Sequence, residues 1–567
     1  MAIKPIYENK LAPCFSQDED GHGGCPALND IPGFLYAVSQ KNFALAFEIL
    51  SRTNPFSAGC GRFCDHPCES VCNRGKLDSP VNIRDLERFV AGQAFTRNFL
   101  PRQVENTLGK SVAIVGSGPA GLSAAGFLKR KGFKVDVFEK ERLPGGMMTQ
   151  GIPVFRYPTE IMQWEINQVR ALGVNIVCGK NIDAKELGTL QDSYDYVVIA
   201  TGTHKGRRLG ISGEDNPTCQ SGLEFLKKFN LNDHFRKSGG DVSQVHNLDI
   251  GQTIAVIGGG YTAIDVARTA IRLGKDVTVY YRRGQDDMDI HPGDIEASRK
   301  EGIRFEFYLN PVSIIGSGAA SVANDKKTGK GCLTLKLEKM VAGSNGDAGP
   351  GGKSPIKPGG EFFEVRVDNV IKAIGETPDL DFLPKGYVIK NGRIEIPGVT
   401  KPLYIAGDAR YGFAPDVGMV VRAIGSGRNT ADEIIQDATN NHTPWYSEQK
   451  IAWPATIKTR YFKPQARLLP GMIKNHEATK TFKEIYTPLD ENEAVYAASR
   501  CFFCGICIQC DWCFHYSRGA IAKIEKPWSG FRHTTYFTFV EGNVTLDTRD
   551  SVEACPRNAM NLETGHP

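Results

Sequence analysis

The stretch Ser111–Gly121 reads SVAIVGSGPAG. A short apolar run, VAIV, enters the glycine-rich turn, and LSAAGFLKRKG leaves it with helical periodicity. A second apolar run, KVDVFEK, closes the unit at Glu139. Strand, turn, helix, strand and carboxylate, in that order, are what a dinucleotide-binding βαβ unit requires. Gly116 permits a tight turn, Gly118 lets the backbone approach a pyrophosphate, and Gly121 lets the helix lie close to the strand. Pro119 and Ala120 complete the fingerprint, and the helix start that follows presents free N–H groups to phosphate. Glu139, about 20 residues on, can accept hydrogen bonds from an adenosine ribose.

A second unit of the same kind follows at TIAVIGGGYTAIDVARTAIRLG and DVTVYYRR. Its fingerprint is Gly258, Gly259, Gly260 and Ala263. Where the first unit has Glu139, this one has Tyr281 followed by Arg282 and Arg283. Arginines there can pair with a 2′-phosphate, which favours NADPH over NADH; the alternative is a solvated basic pair ending a strand. Two unlike fingerprints imply two different dinucleotides. Between them, LPGGMMTQGIPVFRYP carries Gly145 and Gly146, which would let backbone approach a cofactor closely. The buried strand YDYVVIATGT ends in Thr201 and Gly202. The Gly-, Lys- and Ser-rich segment from Ile314 to Gly360 predicts a long surface hairpin.

The composition is that of an ordinary globular chain: 567 residues, 41% hydrophobic, 23% charged, with a net charge of +4. No long basic run points to nucleic acid. The start, MAIKPIYENK, has no signal-like apolar core, and no run of ~18 apolar residues predicts a membrane span. The 15 cysteines are clustered, with six in residues 14–72 and six in residues 501–555. Clustered cysteines in a large chain suggest metal rather than disulfides, and a reducing compartment, the cytoplasm. Cys178, Cys219 and Cys332 are expected to be buried, unreactive thiols.

In the first group, Cys60, Cys64, Cys68 and Cys72 recur every four residues in NPFSAGCGRFCDHPCESVCNRG, after Cys25-Pro26 and a helical segment. Thiolates so spaced in short loops can converge on one iron–sulfur cluster, with zinc the alternative. The sequence CPALNDIPGFL…NPFSAGCGRFC…PCESVC…VNIRDLERF resembles the N-terminal iron–sulfur domain of the glutamate synthase small subunit. The same domain opens dihydropyrimidine dehydrogenase and the large subunit of NADH-dependent ferredoxin:NADP oxidoreductase. The resemblance implies one [4Fe–4S] cluster on Cys25, Cys64, Cys68 and Glu87. A second cluster in that family takes three cysteines ahead of the Cys-Pro cysteine plus the position of Cys72. Only Cys14 stands there, so the expectation is one cluster, with Cys14, Cys60 and Cys72 as possible substitute ligands.

The ATG element, together with Gly407-Asp408 in LYIAGDAR, is similar to the two-dinucleotide-domain flavoprotein reductases. That resemblance implies FAD on the first fingerprint, with Asp408 at its ribityl chain, and NADP(H) on the second. The expected fold is α/β, with two doubly wound dinucleotide-binding domains, the NADP domain inserted in the FAD domain. An N-terminal α-helical iron–sulfur domain and a C-terminal ferredoxin-like domain flank them. The expected boundaries are 1–108 (helical iron–sulfur), 109–250 and 373–440 (FAD), 251–372 (NADPH), 441–500 (connector) and 501–567 (ferredoxin-like).

The tail reads CFFCGICIQCDWCFHYSRGAI, with Cys555-Pro556 beyond it. A two-cluster ferredoxin has two Cys-x2-Cys-x2-Cys-x3-Cys-Pro runs, and the fourth cysteine of each ligates the other run's cluster. In that register the first run keeps Cys507, Cys510 and Cys513, with Ser517 in fourth place. The second keeps Cys555, with Thr545, Thr548 and Ser551 in its first three places. The four survivors would bind one cluster, and the four lost positions would have bound the other. Zinc, or a register such as Cys501/Cys504/Cys507/Cys510, remains open. Cys501 and Cys504 are otherwise bystanders or a redox pair.

These parts predict an NADPH-linked electron-transfer flavoprotein with FAD and two [4Fe–4S] clusters, one toward each end of the chain. A flavin links hydride carriers to one-electron clusters. No acid, base or nucleophile for an organic substrate is evident, so no catalytic residue is assigned. The expected partner is a ferredoxin or a catalytic oxidoreductase subunit in a hetero-oligomer. The alternatives are a self-contained NADPH:ferredoxin or acceptor reductase, and a redox-sensing or scaffold protein.

Overall fold

The computed structural model describes residues 3–7, 10–15, 23–237, 248, 250–316, 333–343, 353–397, 401, 403–411, 418–440, 451–452, 457–473, 475–505, 512–517, 519–523, 537–540, 555–557 and 559–564. The chain forms two compact units. One comprises Pro101–Ile434 with Met472–Thr487, and the other comprises Met1–Leu100, Ile435–Gly471 and Pro488–Pro567.

The first of these holds two α/β sheets. The larger has seven strands in the order Val388–Lys390, Arg393–Glu395, Leu403–Ile405, Tyr196–Ile199, Ser111–Val115, Lys134–Glu139 and Asn175–Cys178. Its last five strands are parallel. The smaller is parallel throughout, in the order Arg304–Phe307, Asp276–Tyr281, Thr253–Ile257, Asn369–Lys372 and Cys219–Ser221. Val112–Val115 and Ile254–Ile257 are buried along their length, as helix-covered parallel strands require. The smaller sheet is built wholly from residues inside the sequence span of the larger. Where the chain passes between them, Thr203–Gly206 pairs antiparallel with Glu376–Pro378.

Two details differ from the sequence reading. Cys219–Ser221 joins the second sheet although it precedes residue 251, where that domain was expected to start. It is three half-buried residues at a sheet edge, too short to show a pattern. The expected surface hairpin is instead a three-stranded antiparallel sheet of Leu309–Gly316, Leu333–Ala342 and Ile356–Val367. Leu333, Leu335 and Leu337 alternate inward and pack with Ala255, Ile257 and Val370 of the parallel sheet. Glycine and lysine elsewhere in the segment mask that apolar face.

The second unit is helical around its cysteines. Helices Ile31–Ser39 and Phe43–Ser51 are capped by Asp30 and Asn42, whose side chains accept from the Gly33 and Leu45 N–H groups. Helix Ser57–Phe63 packs so closely on Ile83–Thr96 that a Cβ on Gly61 would lie 2.4 Å from the Arg88 nitrogen. The two cysteine-bearing ends, expected as separate flanking modules, share this unit. Ile3–Tyr7 pairs antiparallel with Met560–Thr564. Arg500, fully buried, donates to Asp78 Oδ1 at 3.0 Å and to the Ser79 and Pro80 carbonyls at 2.8 and 3.1 Å. Burial alone would raise the Asp78 pKa, but hydrogen bonds led by that from Arg74 outweigh it and hold the carboxyl well below its usual range.

Candidate dinucleotide and iron–sulfur sites

The first fingerprint is shaped by close backbone approach. Gly116 adopts φ +106°, and a Cβ there would lie 2.4 Å from the Ala200 carbonyl oxygen at the end of the neighbouring strand. A Cβ on Gly121 would meet the Gly116 carbonyl at 2.1 Å, whereas Gly118 faces open space. That opening lies at the start of helix Pro119–Arg130, with Gly118 as its cap, where a pyrophosphate would meet unpaired N–H groups. Ala120 is buried in the helix's first turn.

The other expected residues gather around this turn. Buried Glu139 accepts from the Ser117 N–H and Oγ at 3.0 and 2.5 Å. Gly145 donates to the Ser117 carbonyl at 3.1 Å, and a Cβ on Gly146 would lie 2.8 Å from the Gly118 Cα. Thr201, beside Gly202, holds a buried Oγ1 with no hydrogen-bond partner. Asp408 starts helix Asp408–Tyr411, and a Cβ on the preceding Gly407 would lie 2.7 Å from that of Ala120. Burial pushes the Asp408 carboxyl up to about 6, against the opposing Gly418 N–H. Burial, then Lys140 and Lys227, pull His204 down to about 4, so its imidazole is neutral at pH 7. An open gap at the helix start, an unsatisfied buried hydroxyl and a clustered carboxylate fit FAD.

The second fingerprint repeats the backbone plan. Gly258 has φ +145°, and a Cβ there would lie 2.1 Å from the Ala373 oxygen. Gly260 faces open space before helix Tyr261–Arg272, and Ala263 is fully buried. Gly259 lies against the Tyr281 ring, 2.4 Å from a Cβ position to Cε2. Arg282 is exposed where strand Asp276–Tyr281 ends, and the Arg283 Nε–H donates to the Ser354 carbonyl at 3.2 Å. Guanidinium groups at this strand end fit a 2′-phosphate.

Sequence reading missed one link between the halves. Arg156, shortly after the Gly145-Gly146 loop, donates to both Asp265 carboxylate oxygens at 2.7 and 2.8 Å, on the second fingerprint's helix. Burial raises the Asp265 pKa, although Arg156 draws it down. The partners are 109 residues apart, and no local pattern pairs them.

In the other unit, the side-chain amides of Asn29, four residues after Cys25, and of Asn54 donate to Glu87 Oε1 at 3.0 and 2.8 Å and hold that carboxylate buried. Cys64 and Cys68 have thiol pKa values raised by burial first. Glu87 and Cys25 add to the rise at Cys64, and Cys25 and Cys64 interact with Cys68. The His66 N–H donates to Cys64 Sγ at 3.3 Å. Cys25, Cys64, Cys68 and Glu87 are therefore neighbours, and three soft thiolates with a carboxylate suit an iron–sulfur cluster. Among the described residues, no three His, Cys, Asp or Glu side chains converge on a single metal ion. A cubane offers each ligand its own iron, so its ligands stand farther apart than those of one tetrahedral ion.

The tail reading is only partly placed. Cys513 is buried in helix Trp512–Tyr516, and Cys555 Sγ accepts from the Ala559 N–H at 3.3 Å. Cys507 and Cys510, with Thr545, Thr548 and Ser551, lie outside the described residues. Among the described residues no helix is long and apolar enough to cross a membrane.

Comparison with known proteins adds two family matches. Residues 110–427 match pyridine nucleotide-disulphide oxidoreductase, and residues 12–99 match dihydropyrimidine dehydrogenase domain II, 4Fe-4S cluster. The chain is 32% identical over 542 residues to the NADP(+)-dependent formate dehydrogenase subunit beta of Moorella thermoacetica, covering 89% of this chain and 71% of that one. It is 30% identical over 554 residues to the NADPH-Fe(3+) oxidoreductase subunit beta of Geobacter sulfurreducens, covering 88% and 76%. It is 31% identical over 428 residues to the glutamate synthase [NADPH] small chain of Escherichia coli, covering 72% and 87%.

Proposed function

The chain belongs to the pyridine nucleotide-disulphide oxidoreductase family, as an NADPH-dependent iron–sulfur flavoprotein, and we propose that it is the electron-transfer subunit of a larger oxidoreductase. One observation carries this reading. Two fingerprints of one backbone plan end their second strands oppositely, in Glu139 and in Tyr281-Arg282-Arg283, while a separate unit gathers cysteines at cluster spacing. Bound FAD supplies the chemistry that links a two-electron hydride carrier to one-electron clusters.

The chain's own residues bind and orient. The Gly118 gap and the N–H groups of helix Pro119–Arg130 receive the FAD pyrophosphate, Glu139 orients its ribose, and Gly145 and Gly146 bring backbone against it. Thr201, Gly202 and Asp408 line the flavin side. Gly258, Gly259, Gly260 and Ala263 admit the second dinucleotide, and Arg282 and Arg283 select its 2′-phosphate. Cys25, Cys64, Cys68 and Glu87 hold one [4Fe–4S] cluster, and Cys507, Cys510, Cys513 and Cys555 another. Cys178 and Cys219, the described cysteines of the nucleotide-binding unit, lie on different sheets, which favours outward electron transfer over a disulfide relay.

The partner is a ferredoxin or a catalytic oxidoreductase subunit in a hetero-oligomer, supported by relatives named as subunits or as a small chain. Anaerobic purification from the native host tests this. A stoichiometric second subunit that confers the organic or metal-reducing activity is the expected result. Full activity of the chain alone with ferredoxin would instead make it a self-contained reductase.

A further inference from the structure

Five cysteines lie outside that scheme and the nucleotide-binding stretch. Cys60 directs its Sγ at Asn54 Oδ1, at 4.0 Å, which leaves Cys14, Cys72, Cys501 and Cys504. The fold brings them together from both ends of the chain. The Lys10 N–H donates to the Gly505 carbonyl at 2.9 Å, and the Ala452 N–H donates to the Leu11 carbonyl at 2.9 Å. Asn73 Nδ2 donates both to the Ala452 carbonyl at 2.8 Å and to Cys504 Sγ at 3.3 Å. Arg74 Nη1 reaches the Arg500 carbonyl at 3.0 Å. Cys14 follows Leu11 by three residues, Cys72 precedes Asn73, and Cys501 follows Arg500. Cys14 and Cys504 are buried, Cys72 and Cys501 are half-buried, and none of the four forms a disulfide.

N–H groups are directed at three of these sulfurs. Phe503 sits at φ +52°, and its N–H donates to Cys501 Sγ at 3.3 Å. Cys64, in the neighbouring cluster site, has the same arrangement: His66 at φ +49°, with its N–H donating at 3.3 Å. Positive φ is uncommon outside glycine, and here it aims an amide at a sulfur twice. Cys72 likewise receives the Val81 and Arg74 N–H groups, and Cys504 the Asn73 amide. Cys14 lies within electrostatic range of Cys72, Cys501 and Cys504, and Cys72 within range of both tail cysteines. Four clustered cysteine sulfurs, met by backbone and amide N–H groups, are the donor set of an iron–sulfur cubane.

We propose that Cys14, Cys72, Cys501 and Cys504 together ligate a further [4Fe–4S] cluster, completed by the tail in place of two cysteines absent ahead of Cys25. This rests on the iron–sulfur reading of the unit but not on either nucleotide assignment.

The test compares the full chain, purified anaerobically, with its C501S/C504S variant by iron and sulfide content and by EPR after dithionite reduction. The variant should lose about four irons and one EPR signal, the complement of one cubane. FAD content should be unchanged. C507S/C510S should remove a different signal. Unchanged iron, loss of zinc in place of iron, or loss of the same signal in both double variants would overturn the proposal. If C501S/C504S does not fold, Cys501→Asp serves instead. A retained ligand of different chemistry should shift the g values of that one signal, and unaltered g values would count against it. Flavin bleaching by NADPH reports the nucleotide sites separately, so either reading can fail alone.

Discussion

The two dinucleotide turns are alike where the backbone decides and unlike where the ligand does. In both, a strand runs into a glycine at positive φ whose Cβ would strike a carbonyl of the neighbouring strand's end, Ala200 for Gly116 and Ala373 for Gly258. In both, the glycine capping the helix, Gly118 or Gly260, faces open space. The contrast starts one residue earlier. Ser117 is tied to buried Glu139, whereas Gly259 lies under the Tyr281 ring, and two arginines follow. Close packing fixes where a pyrophosphate can lie, and the end of the second strand selects which nucleotide brings it.

The strongest way to break this comparison is at the shared position. Gly116→Val places side-chain atoms against the Ala200 carbonyl and should abolish FAD binding, read as loss of flavin absorbance per chain. Gly258→Val should leave FAD bound but end flavin reduction by NADPH. If Gly258→Val removes the flavin and Gly116→Val does not, the two assignments are reversed.

Next in size is the link between the turns. Arg156→Ala leaves Asp265 buried without its ion-pair partner, which costs about 3–5 kcal/mol in such settings. Thermal denaturation should show it. Asp265 already has a raised pKa in the fold, so its folded form retains a proton that the unfolded form gives up. Removing Arg156 should raise that pKa further, so the loss in the variant should grow as pH rises through the wild-type folded-state pKa, which lies above the ordinary aspartate value of about 4. A destabilisation that is flat with pH would mean that Arg156 acts through packing on Tyr261, over whose ring it lies at 5.3 Å.

The part of the comparison that concerns nucleotide choice is smaller in energy. Replacing Arg282 and Arg283 by alanine should raise the KM for NADPH roughly 10²-fold, the scale of lost charge-assisted hydrogen bonds, with little change for NADH. Equal losses with both nucleotides would remove the 2′-phosphate assignment.

The smallest effect concerns Asp408, on the FAD side only. With its pKa raised from 3.8 to about 6, the folded form holds a proton that the unfolded form releases. Stability is therefore lost as pH rises from about 4 to about 6. In protein freed of FAD, Asp408→Asn should gain on the order of 1–2 kcal/mol at pH 7 after allowing for solvent screening at a half-buried site, and nothing below about pH 4. A gain of the same size at pH 4 would assign it to packing.

What could be read from the sequence divides along the same line. Both fingerprints, the ATG strand end and Gly407-Asp408 are local patterns, and the fold assembles the first set around one turn. Arg156 and Asp265 carry no such signal, because their pairing depends on how two domains of one unit dock. The inward face of Leu333, Leu335 and Leu337 is a strand alternation hidden in a segment dominated by glycine and lysine. The cysteines are the sharpest case. Asn73 and Cys504 are 431 residues apart, so spacing alone left Cys501 and Cys504 unassigned. One signal was nonetheless available: two ligands are missing ahead of Cys25, and two cysteines are surplus in the tail.

FAD on the first fingerprint and NADPH on the second, in one chain, are the central assignments. Anaerobic stopped-flow mixing of the purified chain with NADPH, and separately with NADH, tests them directly at the flavin band. Rapid bleaching by NADPH and far slower bleaching by NADH is the predicted result. No bleaching by NADPH, or equal rates with both, would contradict it.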